Sequence, residues 1–295
     1  GVIDLDPRRL RYFIAVATEL HFGRAADKLH TAQPALSQQI RRFEEQLGVQ
    51  LFERSTRSVR LTPAGRRLFE RGRTILAEVD ATVAEVRQIG RGEEGAVRLG
   101  FIGSATYGLM PRAARALREE LPGVRIHLTG EQMSSPLAKA VHDGVLDVAV
   151  LRPCPELEGL DVRRLLTERI VVAVPEGHRL AAHEEVLLTD LAEEVFVSYP
   201  IDVSAVARKQ REACLAAGFE PNVQITVAET STLVTFVASA LGVALVPQGV
   251  EQVRIPGVRY LPLRPELAVP LLLARRDQAG EAVAARVAGV LARLG

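Results

Sequence analysis

Residues 21–61 read HFGRAADKLHTAQPALSQQIRRFEEQLGVQLFERSTRSVRL, and this stretch decides the first domain. Gln33-Pro34 predicts a helix start, because a proline in the first turn lacks only an N–H that has no intrahelical partner there. Ala35, Leu36, Ile40, Phe43 and Leu47 follow at helical spacing, with Ser37, Gln38, Arg41, Arg42, Glu45 and Gln46 on the other flank. Gly48 ends the helix. Upstream, Ala25, Ala26 and Leu29 suit a small helix packed beneath it, and His30-Thr31-Ala32 is the turn between the two, which makes a helix-turn-helix.

The second helix carries a hydroxyl, two amides and a guanidinium toward its N-terminal half, the end that enters the major groove in such motifs. Gln33, Ser37 and Gln38 are donors and acceptors sized for base edges, and Arg41 is placed for a phosphate. After Gly48, Val49 to Phe52 and Val59 to Leu61 bracket Glu53-Arg54-Ser55-Thr56-Arg57-Ser58, a hairpin with a basic tip. Arg54 and Arg57 on that wing can reach a phosphate or the minor groove.

The run Leu10-Arg11-Tyr12-Phe13, His21-Phe22 through Ala25-Ala26, Leu29-His30, Gln33-Pro34-Ala35-Leu36-Ser37, Leu47-Gly48-Val49, Leu51-Phe52-Glu53-Arg54 and Leu61-Thr62-Pro63-Ala64-Gly65 resembles the DNA-binding domain of the LysR-type bacterial transcriptional regulators. The likeness implies that double-stranded promoter DNA is the partner, contacted by Gln33, Pro34, Ser37, Gln38, Arg41, Arg54 and Arg57. Members of that family often carry arginine where this chain has Gln38, so the Gln38 contact departs from the pattern.

Charge agrees with a front half built for a polyanion. Residues 1–73 hold 14 Lys and Arg against 8 Asp and Glu, or +6, within a 295-residue chain whose net charge is +1; the remainder is therefore −5. With 47% hydrophobic and 25% charged residues the composition is that of globular domains, and the length allows two or three.

Cys154 and Cys214 lie sixty positions apart in dissimilar surroundings, which argues against a disulfide framework. The six histidines are scattered without ligand spacing, so no metal or cofactor is implied. No apolar leader precedes Leu10, and the uncharged stretch between Glu229 and Glu251 is broken by Thr, Ser, Gly and Pro. It reads as helix, turn and buried strand rather than as a membrane span, so the expectation is a cytoplasmic protein without a membrane partner.

Pro7 opens a first helix with Leu10, Phe13, Ile14 and Ala17 on its core face. Thr62 is an N-cap and Pro63 the first position of a long helix to about Ile89, in which Phe69, Gly72, Leu76, Val79, Val83 and Val86 recur by threes and fours. A seam of that kind on a solitary helix stays wet, so it predicts self-association as a dimer; the family likeness implies tetramers.

After Gly90 to Gly95 strands and helices alternate. Strands are expected at Val97–Ile102, Val124–Thr129, Val148–Leu151, Arg169–Val174, Val195–Ser198, Val223–Val227, Val243–Val246 and Val269–Ala274. Helices are expected at Leu109–Leu121, Pro136–Asp143, Leu188–Glu193, Ser204–Ala217, Ser231–Leu241 and Ala279–Leu294. The expected architecture is thus a winged helix-turn-helix (1–61), a linker helix (62–90) and a two-lobed α/β domain. Lobe I is 91–162 with 265–295 and lobe II is 163–264, with crossings near Gly159 to Arg164 and Leu263 to Leu267. Such a pair of lobes resembles the effector domain of LysR-type regulators and periplasmic solute-binding proteins.

Ligands of α/β sheets bind beyond the carboxyl ends of strands, at helix N-termini. Gly103-Ser104-Ala105-Thr106, Met133-Ser134-Ser135 and Ser198-Tyr199-Pro200-Ile201 are such places, and each suits a carboxylate. By position the family likeness makes Ser104, Ser134, Pro200, Pro247 and Gln248 effector-binding candidates, while Arg152 supplies either a charge or an ordinary surface salt bridge. Gly100 to Ala105 and Ala32-Gln33-Pro34 look like members that sense muconate-like products of aromatic breakdown, so the effector is expected to be a small carboxylate. A solute-binding module with an incidental helical front is the alternative. An enzyme is disfavoured, since no phosphate-binding glycine loop, nucleophile elbow or Cys/His pairing is found.

Overall fold

The computed structural model describes residues 5–54, 58–91, 95–277 and 282–295, with the side chains of 54 and 88–91 left aside. The chain divides into two compact units, residues 1–91 and 92–295.

In the first unit, α1 (Pro7–Glu19) starts where the Asp6 carboxylate accepts from the Arg8 N–H at 2.8 Å, with Pro7 in the opening turn. Helix α2 (Phe22–Lys28) and α3 (Gln33–Leu47) form the helix-turn-helix, and α3 closes at Gly48, whose φ of 69° is the left-handed conformation glycine adopts freely. Leu10, Phe13, Val16, Ala25, Leu36, Ile40 and Phe43 are buried together. Val16 takes the core place expected of Ile14, which is only half-buried.

Strands β1 (Phe52–Arg54) and β2 (Val59–Leu61) pair antiparallel, with Phe52 opposite Leu61. The Phe52 ring lies 5.3 Å from that of Phe13 and 5.7 Å from that of Phe22, which ties the wing to the helices. One oxygen of Glu44 on α3 also accepts from the N–H groups of Leu51 and Phe52.

Helix α4 (Pro63–Arg91) begins where Thr62 Oγ1 accepts from the Gly65 N–H at 3.0 Å. Its apolar seam divides, and only part of it is free to pair. Leu68, Phe69, Gly72, Leu76 and Ala77 face their own domain; a Cβ on Gly72 would lie 2.8 Å from Leu10 Cδ1. Ile75, Val83 and Val86 stay exposed, with Val79 half-buried between them.

The second unit holds two buried clusters along one mixed sheet. Strands β3 (Ala96–Ile102), β4 (Arg125–Gln132) and β5 (Val148–Leu151) pair in parallel, as alternation with α5 (Leu109–Glu120) and α6 (Ser134–His142) requires. Strand β12 (Ala268–Arg275) lies antiparallel between β5 and β6 (Asp161–Pro175), and α9 (Ala282–Ala292) closes the first cluster.

Strand β6 carries the chain from one cluster to the other. Its first part pairs with β12, and Ile170 to Pro175 pair with β10 (Ala244–Pro247) and β11 (Val258–Arg264). A loop crossing was expected at Gly159 to Arg164 and a strand from Arg169, but the strand is continuous. Arg163, Arg164, Thr167 and Arg169 are exposed among the more buried Leu165, Leu166 and Glu168, so only the apolar run from Ile170 reads as a strand locally. Strand β11 and the two-residue β7 (Val186–Leu187) were not expected at all; Pro262 lies within the former.

Around the second cluster lie β8 (Val195–Ser198), β9 (Asn222–Thr226), α7 (Ala205–Ala216) and α8 (Thr230–Ala238). The helix expected near Leu188–Glu193 is a short 3-10 turn, Leu188–Leu191. No described helix is long and apolar enough to cross a membrane.

Candidate nucleic-acid interface and internal cavity

Helix α3 presents two chemistries on two faces. Leu36, Ile40 and Phe43 are buried, while Gln33, Pro34, Gln38 and Arg41 are exposed and Ser37 is half-buried beside them. Spacings of three and four put Gln33, Pro34, Ser37, Gln38 and Arg41 on one stripe. Ala32 precedes the helix and makes no side-chain cap hydrogen bond to the first-turn N–H groups. Ala35, expected in the core, is exposed at the same end.

Arg57 and the Arg54 side chain lie outside the described residues. Arg60, exposed on β2 opposite Glu53, is a further cation of the wing that the motif did not single out.

In the second unit, an internal cavity lies where strand ends and helix starts meet. It is lined by Gly103 and Ser104 after β3, Met133 and Ser134 at the start of α6, Tyr199 after β8, Ser204 and Ala205 at the start of α7, and Thr230 at the start of α8. Only about 20 Å³ is left in it for a water-sized occupant, room for roughly one water. A larger guest therefore requires side chains or lobes to move apart.

Arg152, at the end of β5, is the charged residue of this cavity and only 2% exposed. It ion-pairs with Glu168 of β6, which also accepts from the Gly249 N–H at 3.3 Å. Its guanidinium further donates to Ser104 Oγ at 3.4 Å and to the Pro270 carbonyl at 3.3 Å, and its backbone N–H donates to Ser134 Oγ at 3.0 Å. The expectation of a surface salt bridge at Arg152 is corrected: the pair is buried.

Each of those serine hydroxyls accepts on the inner side, which leaves its own O–H proton to be donated. Tyr199 and Thr230 share a hydrogen bond of 2.9 Å between their hydroxyls, and burial, ahead of any neighbour, pushes the Tyr199 phenol well above its ordinary range. The phenol is therefore a neutral donor and acceptor.

Ser104, Ser134 and Arg152 are thus brought together. Pro200, Pro247 and Gln248 do not line the cavity. Pro200 follows Tyr199, whose side chain takes the place at the wall. Pro247 and Gln248 lead into the turn that donates to Glu168, behind the ion pair. The sequence patterns do not single out Thr230, Ser204 or Glu168, and they name Tyr199 only as part of the loop Ser198 to Ile201. The Glu229-Thr230-Ser231 helix start is legible as a cap; nothing local marks Glu168, whose role comes from a partner sixteen residues away.

Burial pushes the Cys154 and Cys214 thiols up to about 11, so neither is a thiolate at neutral pH.

Two family models match the chain. Residues 7–66 match the bacterial regulatory helix-turn-helix protein, lysR family, and residues 90–293 match the LysR substrate binding domain. The chain is 38% identical to the HTH-type transcriptional regulator XapR of Escherichia coli, over 94% of each chain. It is 33% identical to BenM of Acinetobacter baylyi, over 92% of this chain and 90% of that one. Among solved structures, CbnR, a LysR family transcriptional regulator, has a TM-score of 0.77 at 24% identity, covering 98% of this chain and 99% of its own. Full-length BenM has a TM-score of 0.59 at 30% identity, covering 98% and 96%. The matches do not single out the aromatic-breakdown subtype. Both halves of the chain being matched, with relatives aligned along nearly all of its length, the chain belongs to the LysR family of bacterial transcriptional regulators, as a DNA-binding protein with a substrate-binding domain.

Proposed function

We propose that this regulator reads operator bases through Gln33, Ser37 and Gln38 of α3, is seated on phosphates by Arg41, Arg54 and Arg57, and responds to a small organic acid bound in the internal cavity. The observation that carries the effector reading is the pair of serine hydroxyls, Ser104 and Ser134. Both accept from Arg152, and both keep a proton to donate to an acceptor in the cavity. The helix starts around them add backbone N–H groups that favour negative charge. Arg152, already paired, orders the serines and offsets the charge of Glu168.

A ligand that prefers one arrangement of the lobes shifts the population toward it, and coupling to DNA affinity follows to the extent of that preference. Thermal stabilisation of the full chain by muconate-like, benzoate-like and aliphatic acids tests this. Stabilisation should follow RT ln(1 + [L]/Kd) and shrink in Ser104→Ala. Stabilisation by neutral or cationic compounds alone would sink the acid reading.

For base reading, Gln33→Ala should lower specific affinity by about 1–3 kcal/mol while weak non-specific binding persists. An equal fall in both, measured by fluorescence anisotropy on operator and unrelated duplexes, contradicts that role. For phosphate seating, Arg41→Ala should weaken binding to all sequences and flatten the log affinity against log salt slope by roughly one unit. An unchanged slope removes Arg41 from the interface.

A further inference from the structure

A second carboxylate, belonging to the protein, stands beside the cavity. Glu131 near the end of β4 has a φ of 55°, a conformation uncommon for a residue with a side chain. Its carboxylate reaches toward two residues that line the cavity. A Cβ added to Gly103 would lie 2.8 Å from Glu131 Oε2, so glycine at 103 leaves the space that the carboxylate uses. Thr230, the first residue of α8, borders the same space: its Oγ1 would lie 3.3 Å from that Cβ. Partial burial, and then the charge of nearby Glu229, push its carboxyl above the ordinary carboxylate range.

The charges around the site are therefore unequal. Among the described residues, Arg152 is the cation lining the cavity, and Glu168 neutralises it. The Glu131 carboxylate stands beside Gly103 and Thr230, close to the start of α8 that would otherwise favour an incoming anion, and Glu229 adds a second negative charge nearby. Ser104 and Ser134, which seek an acceptor, thus have near them a carboxylate that rejects further negative charge. An ionised carboxylate is an acceptor with spare lone pairs, so Glu131 seeks a donor.

Resting on the organic-acid reading above, we infer that Glu131 sets the charge class of the effector: the ligand carries one anionic end for Ser104 and Ser134 and a hydrogen-bond donor, an ammonium, amide N–H or hydroxyl, for Glu131. Simple dicarboxylates are excluded, because their second carboxylate would meet Glu131 without a cation to offset it. This narrows the small-carboxylate expectation to acids with a donor at the far end.

The test uses matched acids that differ at one end, followed by thermal shift of the full chain. The pairs are glutarate with 4-aminobutanoate, adipate with 6-aminohexanoate, and benzene-1,4-dicarboxylate with 4-(aminomethyl)benzoate. In the wild type the donor-bearing member of any responding pair should act at a concentration about tenfold or more below that of its dicarboxylate. In Glu131→Gln, which keeps shape and removes charge, that preference should vanish or invert. In Ser104→Ala both members should weaken in parallel.

A dicarboxylate acting on the wild type as well as its donor-bearing partner overturns the role of Glu131, as does a preference that survives in Glu131→Gln. If Ser104→Ala still weakens the response in those cases, the organic-acid reading stands without it. If no member of any pair shifts the wild type, the organic-acid reading falls and the inference with it.

Discussion

Replacing Arg152 with alanine is expected to destabilise the second unit by about 3–5 kcal/mol, because removing one partner of a buried pair leaves the other charge without compensation. Glu168 would keep the Gly249 N–H as its remaining partner, with little solvent to replace the guanidinium. Ser104 and the Pro270 carbonyl would lose their donor at the same time. Denaturant unfolding of the full chain, followed at the transition of residues 95–295, measures the loss. The double variant Arg152→Met with Glu168→Leu should recover most of it, since apolar residues of similar size often replace such pairs at little cost. A single variant with the wild-type midpoint would mean that the pair contributes nothing to folding.

The second large effect concerns assembly. Ile75, Val79, Val83 and Val86 form the part of the α4 seam that its own domain leaves uncovered, and they repeat every three or four residues along the helix. We propose that this stripe pairs with a second copy. Val79→Lys with Val83→Lys would set like charges against a partner while leaving the Leu10 and Gly72 contact intact. Leu76 is a poorer choice, because it packs on the helix-turn-helix core and its loss would also disturb folding.

The double lysine variant should sediment as a monomer with native helix content. It should lose affinity for a two-half-site duplex by about 10²–10⁴-fold, the avidity that tethering two reading heads provides. A dimer that persists, with unchanged affinity, would place the self-association elsewhere.

What could be read in the sequence was carried by short-range patterns. Pro34 and Gly48 bracket α3 because proline and glycine act on the backbone where they stand, and Leu36, Ile40 and Phe43 reveal a face by spacing alone. Thr62 and Pro63 mark the start of α4 for the same reason. The divided seam of that helix was not legible, since Gly72 reads as a weak apolar position until Leu10 is brought against it.

The candidate cavity follows the same division. Ser104 and Ser134 stand at helix starts after strands, which the chain order exposes. Pro200, Pro247 and Gln248 follow from position within a likeness, and the side chains that reach the wall belong to Tyr199 and Thr230 instead. Arg152 with Glu168 and Glu131 with Gly103 are relations between strands and loops distant in sequence. No local period encodes them, and Glu168 lies in a half-strand whose charges look like loop.

Whether a dimer reads DNA sequence through α3 is tested most directly by letting the full chain select its binding sites from a randomised duplex library, which needs no known operator. The prediction is enrichment of a two-fold-related pair of half-sites whose centres lie about one helical turn, or a whole multiple, apart, with that enrichment lost in Gln33→Ala. Recovery of sequences no different from the input, or of the same sites by wild type and Gln33→Ala alike, would contradict it.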